Sequence, residues 1–167
     1  MSETIKQYLR SWGLLRERML TEEVEGWRYH SLEALVLDLG KPYTRVPKPK
    51  GSGVRMGRMK HCFTNASRAV WQNSNKLTYV EGYACGGFPC MHAWVTPNGT
   101  DAWDLTWPYD ERHAQAEYLG IAWSMDFLTD VALETGFYGV LGSGDDRFIA
   151  RLLKDGPPHG AVQEQRA

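Results

Sequence analysis

The chain has 167 residues, of which 43% are hydrophobic and 12% aromatic, enough to bury one core of ordinary size, and the length favours one domain over two. A formal net charge of -1 excludes a global pull toward nucleic acid or an anionic membrane surface. The N-terminus has no cationic start followed by an apolar run and no stretch is long enough to span a bilayer, so a cytoplasmic location is expected. Cys62, Cys85 and Cys90 are an odd number of cysteines, which argues against a disulfide framework and leaves at least one thiol free.

Taken in chain order, Ile5, Tyr8, Leu9, Trp12, Leu15 and Met19 recur at helical spacing, which predicts an amphipathic helix over Ser2 to Leu20 with that stripe in the core. A second helix is predicted over Leu32 to Leu39, capped by Ser31 and ended by Gly40. Residues 41–60 then change character. Pro42, Pro47, Pro49, Gly51, Gly53 and Gly57 break regular structure, and Lys41, Arg45, Lys48, Lys50, Arg55, Arg58 and Lys60 have no acidic neighbour, so a long basic loop is expected. It delivers directly into Cys62, which leaves an anionic substrate or a gating role open.

From Cys62 the pattern is helical again, through Phe63, Ala66 and Val70, and Asn73-Ser-Asn75 stops it. The thiol of Cys62 is therefore expected at a helix N-terminus, where unsatisfied amides and the nearby Lys60 and His61 favour thiolate. The period next becomes two: Leu77 to Ala84, Met91 to Thr96, Asp101 to Thr106 and Tyr118 to Trp123 read as strands. Two more helices are predicted, Ser124 to Thr135, closed by Gly136, and Asp146 to Leu153. Helices followed by a mostly antiparallel sheet make an α+β pattern. A single domain over 1–154 is expected, with a disordered tail from 155 to 167.

Pro97-Asn98-Gly99 suits a three-residue hairpin loop with glycine in the left-handed position. The register predicted from it pairs Thr96 with Thr100, Trp94 with Ala102 and His92 with Asp104. Cross-strand neighbours have Cβ atoms roughly 4.5 to 5.5 Å apart, close enough for an imidazole to donate to a carboxylate. Cys62, His92 and Asp104 then form a nucleophile, a base and an orienting acid. The Cys62 amide would hold an oxyanion, with Asn65, Gln72, Trp94 and Trp107 as candidates for a second donor.

The order Cys62-Phe-Thr-Asn-Ala-Ser-Arg-Ala, Tyr79-Val-Glu-Gly-Tyr-Ala84, His92-Ala-Trp-Val95 and Asp101-Ala-Trp-Asp-Leu-Thr106 resembles the transglutaminase-like branch of the papain-like cysteine enzymes. The resemblance covers Lys60 to Trp107, under a third of the chain. It implies a papain-like core with N-terminal helices, with Cys62, His92 and Asp104 at the nucleophile, base and acid positions, and hydrolysis of amides or isopeptides or acyl transfer to an amine. Three features depart from the family: the short segment from Cys62 to His92, Leu105 where proline is usual, and Lys60-His61 in place of a glycine-containing entry.

The partner implied is a peptide, an amide or a conjugated small molecule, with Trp94, Trp107, Glu81 and Lys60 as candidate substrate contacts and Glu111 and His113 as further polar candidates. Neither a membrane nor nucleic acid is expected. Cys85, Cys90 and His92 raise zinc, but a second closely spaced ligand pair is missing, and Gly142-Ser-Gly144 lacks the continuation of a P-loop. No metal or cofactor is called for. The alternative is a binding module on the same fold that holds a nucleotide or an acidic partner through the basic loop and the aromatic groove.

Overall fold

The computed structural model describes residues 3–17, 24–111 and 113–163. Among these, five helices and five strands run in the order α1 (Glu3–Glu17), α2 (Leu32–Leu39), β1 (Lys41–Arg45), α3 (Cys62–Gln72), β2 (Thr78–Cys85), β3 (Pro89–Thr96), β4 (Asp101–Ala102), β5 (Glu117–Trp123), α4 (Met125–Thr135) and α5 (Asp146–Asp155). The class is α+β with a mixed sheet. No described helix is long and apolar enough to cross a membrane.

The helix signals act as expected. The Ser31 hydroxyl accepts from the Ala34 amide and Ser124 from that of Phe127, each satisfying an orphan donor of a first turn. Gly136 ends α4 in the left-handed conformation that glycine adopts without a Cβ penalty. In α1, Ile5 and Leu9 are fully buried, but Trp12 and Leu15 are exposed, so only the first half of the apolar stripe is core. Met19 and Leu20 lie outside the described residues.

The sheet order is β3-β2-β5-β1-β4, antiparallel except for the β1–β4 pair. Its ends meet at a bridge between Val95 and Trp103, so the sheet curls into a ring. Alternation sorts the side chains. Tyr43, Val80, Ala84, Trp94, Ala102 and Tyr118 pack together inside the ring, while Tyr79, Tyr83, Ala93, Val95 and Ile121 join the helices in the larger outer core. The inner row must be bare where the ring is tightest. Gly82 pairs with His92 on one side and Gly120 on the other. A Cβ on Gly82 would lie 2.3 Å from the Leu119 carbonyl oxygen, and one on Gly120 would lie 2.5 Å from the Trp94 ring.

Three sequence-based expectations fail here. Residues 41–60 are not one loop: Lys41–Arg45 is a strand between β5 and β4, with Arg45 buried. Pro42 misled, but proline is tolerated where the ladder needs no amide from it. The tail is packed as far as residue 163: the Ser124 amide donates to the Ala161 carbonyl, the Gln163 amide to Ala122, and Val162 bridges Trp123. The expectation for 164–167 lies outside the described residues. The hairpin register is two residues out: Val95 bridges Trp103, where the expected register sets it opposite Asp101. Only Asp101–Ala102 is strand on the return side, and it pairs in parallel with Thr44 and Arg45 of β1. Gly99 is left-handed as expected, yet the turn widens around the Asn98 carboxamide oxygen, which accepts from the Thr100 and Asp101 amides.

Candidate active site

Beyond the Val95–Trp103 bridge the ring opens, and the first turn of α3 meets both sides of the gap. On one side Asn65 Nδ2 donates to Thr106 Oγ1 at 2.8 Å. On the other, Cys62, the first residue of α3 and 8% exposed, lies close enough to the imidazole of His92 on β3 for the two side chains to interact. His92 Nε2 donates to Asp104 Oδ2 at 2.8 Å, which leaves Nδ1 as its uncommitted ring nitrogen.

His92 and Asp104 meet although they are not a cross-strand pair. A register shift of two keeps the alternation of faces, so both still point into the ring. Past Trp103 the chain leaves the ladder, and Asp104 is held by four donors instead. Oδ1 accepts from the amides of Thr106 at 2.7 Å and Trp107 at 3.0 Å, while Oδ2 accepts from His92 and from the Tyr118 hydroxyl at 2.7 Å.

The charges follow from this. Burial works against the His92 cation, but the hydrogen bond it gives Asp104, its interaction with Cys62 and the charges of both outweigh that and push His92 up to about 9. For Asp104 burial pulls upward, and the His92 hydrogen bond and charge with the backbone amides hold it below the ordinary carboxylate range. Tyr118 is raised by burial and by the Asp104 charge beside it, so it stays a donor.

Trp107 shields the site. Its ring stacks on His92 at 4.3 Å between centroids and is covered in turn by His113 at 5.2 Å. Sandwiched in this way, Trp107 excludes water from His92 rather than offering an open face to substrate. Arg45 fixes the segment that carries it: Nη1 donates to the His113 carbonyl at 2.9 Å, and Nη2 to those of Trp107 at 2.9 Å and Pro108 at 2.8 Å. His113 itself bonds Asp110 through Nδ1 at 2.8 Å, and Glu111 is exposed.

The other candidates separate. Asn65 is committed to the Arg58 carbonyl and Thr106, so it is not a free oxyanion donor. Gln72 closes the far end of α3, about 15 Å along the axis from Cys62, and is out of the site. Trp94 is fully buried inside the ring against Tyr43 and Tyr118, which removes it both as a substrate contact and as a donor to a bound oxyanion. Glu81 is also fully buried: its carboxylate accepts from the Val140 and Gly142 amides at 2.7 Å each and from the Tyr79 hydroxyl at 2.8 Å. It anchors the 139–142 segment over Phe63 and contacts no solvent. Lys60 is exposed, with a left-handed φ of 66° just before the helix, a conformation costly for a side chain with a Cβ.

Tyr118 and Arg45 were not singled out from the sequence. Tyr118 carries a weak signal, a polar tip on the inward phase of its strand, and Arg45 was hidden among the basic residues of the expected loop. Among the described residues no group of three or more His, Cys, Asp or Glu side chains is placed to hold a metal ion. Comparison with protein-family models, with curated proteins and with solved structures finds no match to this chain.

Proposed function

We propose that this protein is a cysteine-dependent amide or isopeptide hydrolase, or an acyltransferase, with a transglutaminase-like variant of the papain-like core. The observation that carries the reading is the buried His92 imidazole, bonded through Nε2 to Asp104 with Cys62 beside it at the start of α3. A solvent-exposed pair would carry little weight. Here the acid has every lone-pair direction directed by a named donor, and the imidazole is covered by Trp107.

In this reading His92 holds the proton released by Cys62, and Sγ attacks the acyl carbon of a bound amide. The C–S bond forms as the carbonyl electrons move to oxygen. The Cys62 backbone amide, a first-turn donor with no intrahelical partner, faces the developing oxyanion. Collapse breaks the C–N bond, and His92 gives its proton to the departing amine. Water completes hydrolysis of the acyl-enzyme, or a second amine completes transfer. Cys62, Cys85 and Cys90 are all free, which fits a reducing cytoplasm.

Alkylation of Cys62 by iodoacetamide, read by peptide mass mapping, tests the pair without knowledge of the substrate. His92→Ala should slow labelling of Cys62 at pH 6 by about tenfold or more while leaving the exposed Cys90 unchanged. Equal rates at Cys62 in both proteins would remove the reading.

A further inference from the structure

Beside Cys62 lies a recess, a notch of about 460 Å³ lined by Gly57, Arg58, His61, Thr64, Asn65 and Arg68. We propose that it is a subsite for an anionic group, a carboxylate or a phosphate, carried by the acyl substrate. Its role as a substrate subsite rests on the function proposed above; its affinity for anions does not.

Its charge is unbalanced. From Lys41 to Val80 the sequence holds nine lysines and arginines and no aspartate or glutamate, in a chain whose overall charge is -1. Positive charge is therefore concentrated around α3 and its approach. Arg58 and Arg68 are both exposed, and neither has a carboxylate within ion-pair distance among the described residues. Arg68 reaches only the face of the Tyr138 ring, 5.9 Å from its centroid. Guanidinium groups left without an internal partner at a concave surface suit bidentate capture of a carboxylate or phosphate.

The floor of the notch is rigid and tied to the reacting groups. Asn65 Nδ2 donates to the Arg58 carbonyl and to Thr106 Oγ1 at 2.8 Å each, and the Gly57 amide donates to Leu105 at 2.7 Å. Gly57 lies against the Asn65 carboxamide so closely that a Cβ would sit 2.0 Å from its oxygen. Thr106 in turn donates its amide to Asp104. An anion bound between Arg58 and Arg68 is thus held in a fixed relation to Asp104 through Asn65 and Thr106, and to Cys62 through His61 beside it.

The test is a titration of the ¹⁵N-labelled full chain with inorganic phosphate and, separately, with succinate at constant ionic strength. Saturable shifts confined to the amides of His61, Thr64, Asn65 and Arg68 are expected. The double variant Arg58→Gln, Arg68→Gln should weaken apparent binding at least tenfold without moving distant resonances. The tighter of the two anions names the source of the charge. Shifts that do not saturate, or saturation unchanged in the double variant, overturn the site. If anion binding survives but labelling of Cys62 proves independent of His92, the anion site stands and its link to acyl chemistry falls. His92-dependent labelling without saturable anion binding discards the subsite alone.

Discussion

The hydroxyl of Tyr118 donates to the same oxygen of Asp104, Oδ2, that receives the Nε2 proton of His92, at 2.7 and 2.8 Å. A residue from β5 on the far side of the ring therefore sets the orientation of the acid. Tyr118→Phe removes that donor and leaves a buried carboxylate one bond short. A hydrogen bond to a charged group is worth about 1.5 to 3 kcal/mol, and a loss of that size is expected in chemical denaturation. Labelling of Cys62 should slow but stay dependent on His92, since Nε2 keeps its acceptor.

Arg45 predicts a separable effect. Its three hydrogen bonds go to carbonyls of residues 107, 108 and 113, so it fixes the segment that covers His92 rather than pairing with a carboxylate. Arg45→Lys keeps the charge and loses the fork. Hydrogen exchange should quicken across residues 107–111 and 113–116 and remain unchanged in α4 and α5. Slow exchange throughout would mean that the covering segment holds without it.

Glu81 gives the chain an acid-side preference. Burial raises its carboxyl from 4.5 to about 7, against the lowering effect of the Val140 amide, the Tyr79 hydroxyl and the Gly142 and Leu141 amides. An acid raised on folding stabilises the folded state fully below its unfolded value and loses that contribution as pH climbs through the folded one. Melting temperature should therefore fall between pH 4.5 and pH 7, by the equivalent of about 3 kcal/mol for the wild type. Glu81→Gln should melt lower at every pH, because the Val140 and Gly142 amides bond to different carboxylate oxygens and a carboxamide sets its NH2 against one of them, but the decline over that window should vanish.

His92 adds a second decline at higher pH. Raised from 6.5 to about 9, it contributes stability below 6.5 that disappears as pH passes 9, so Glu81→Gln should still lose stability over that upper range. His92→Gln should flatten it. A slope that persists in the His92 variant would assign the titration elsewhere.

The bare row inside the ring is testable by adding one carbon. Gly82→Ala places a Cβ 2.3 Å from the Leu119 carbonyl and 2.5 Å from the Gly120 Cα, both backbone atoms that cannot swing aside. Overpacking of this kind costs about 1 to 3 kcal/mol, and a contact with backbone belongs at the upper end. Gly99→Ala, which sets a side chain at a left-handed φ of 81° in the turn, should cost less.

Much of this molecule follows from local rules. The caps at Ser31, Ser124 and Gly136, the placement of Cys62 at the first residue of a helix, and the three long strands are short-range consequences of hydrogen-bond satisfaction and hydrophobic period, which neighbouring residues decide. Only the tertiary structure decided which strands pair. The turn at Pro97 to Gly99 permits the register inferred from it, but β1 competes for the same return strand and takes Asp101 and Ala102 in parallel. The hairpin splays as a result, and the ladder no longer aligns His92 with Asp104. Their contact depends on Tyr118 and on the amides of Thr106 and Trp107. Trp94 and Glu81 read as candidate substrate contacts from their aromatic and polar chemistry, and are interior residues because the ring encloses the inward face of β3 at Trp94 while the helices cover the outward face of β2 at Glu81. The residue types at the site were legible in one dimension; the partners that hold them were not, because those come from strands and segments distant in sequence, brought together only when the sheet curls.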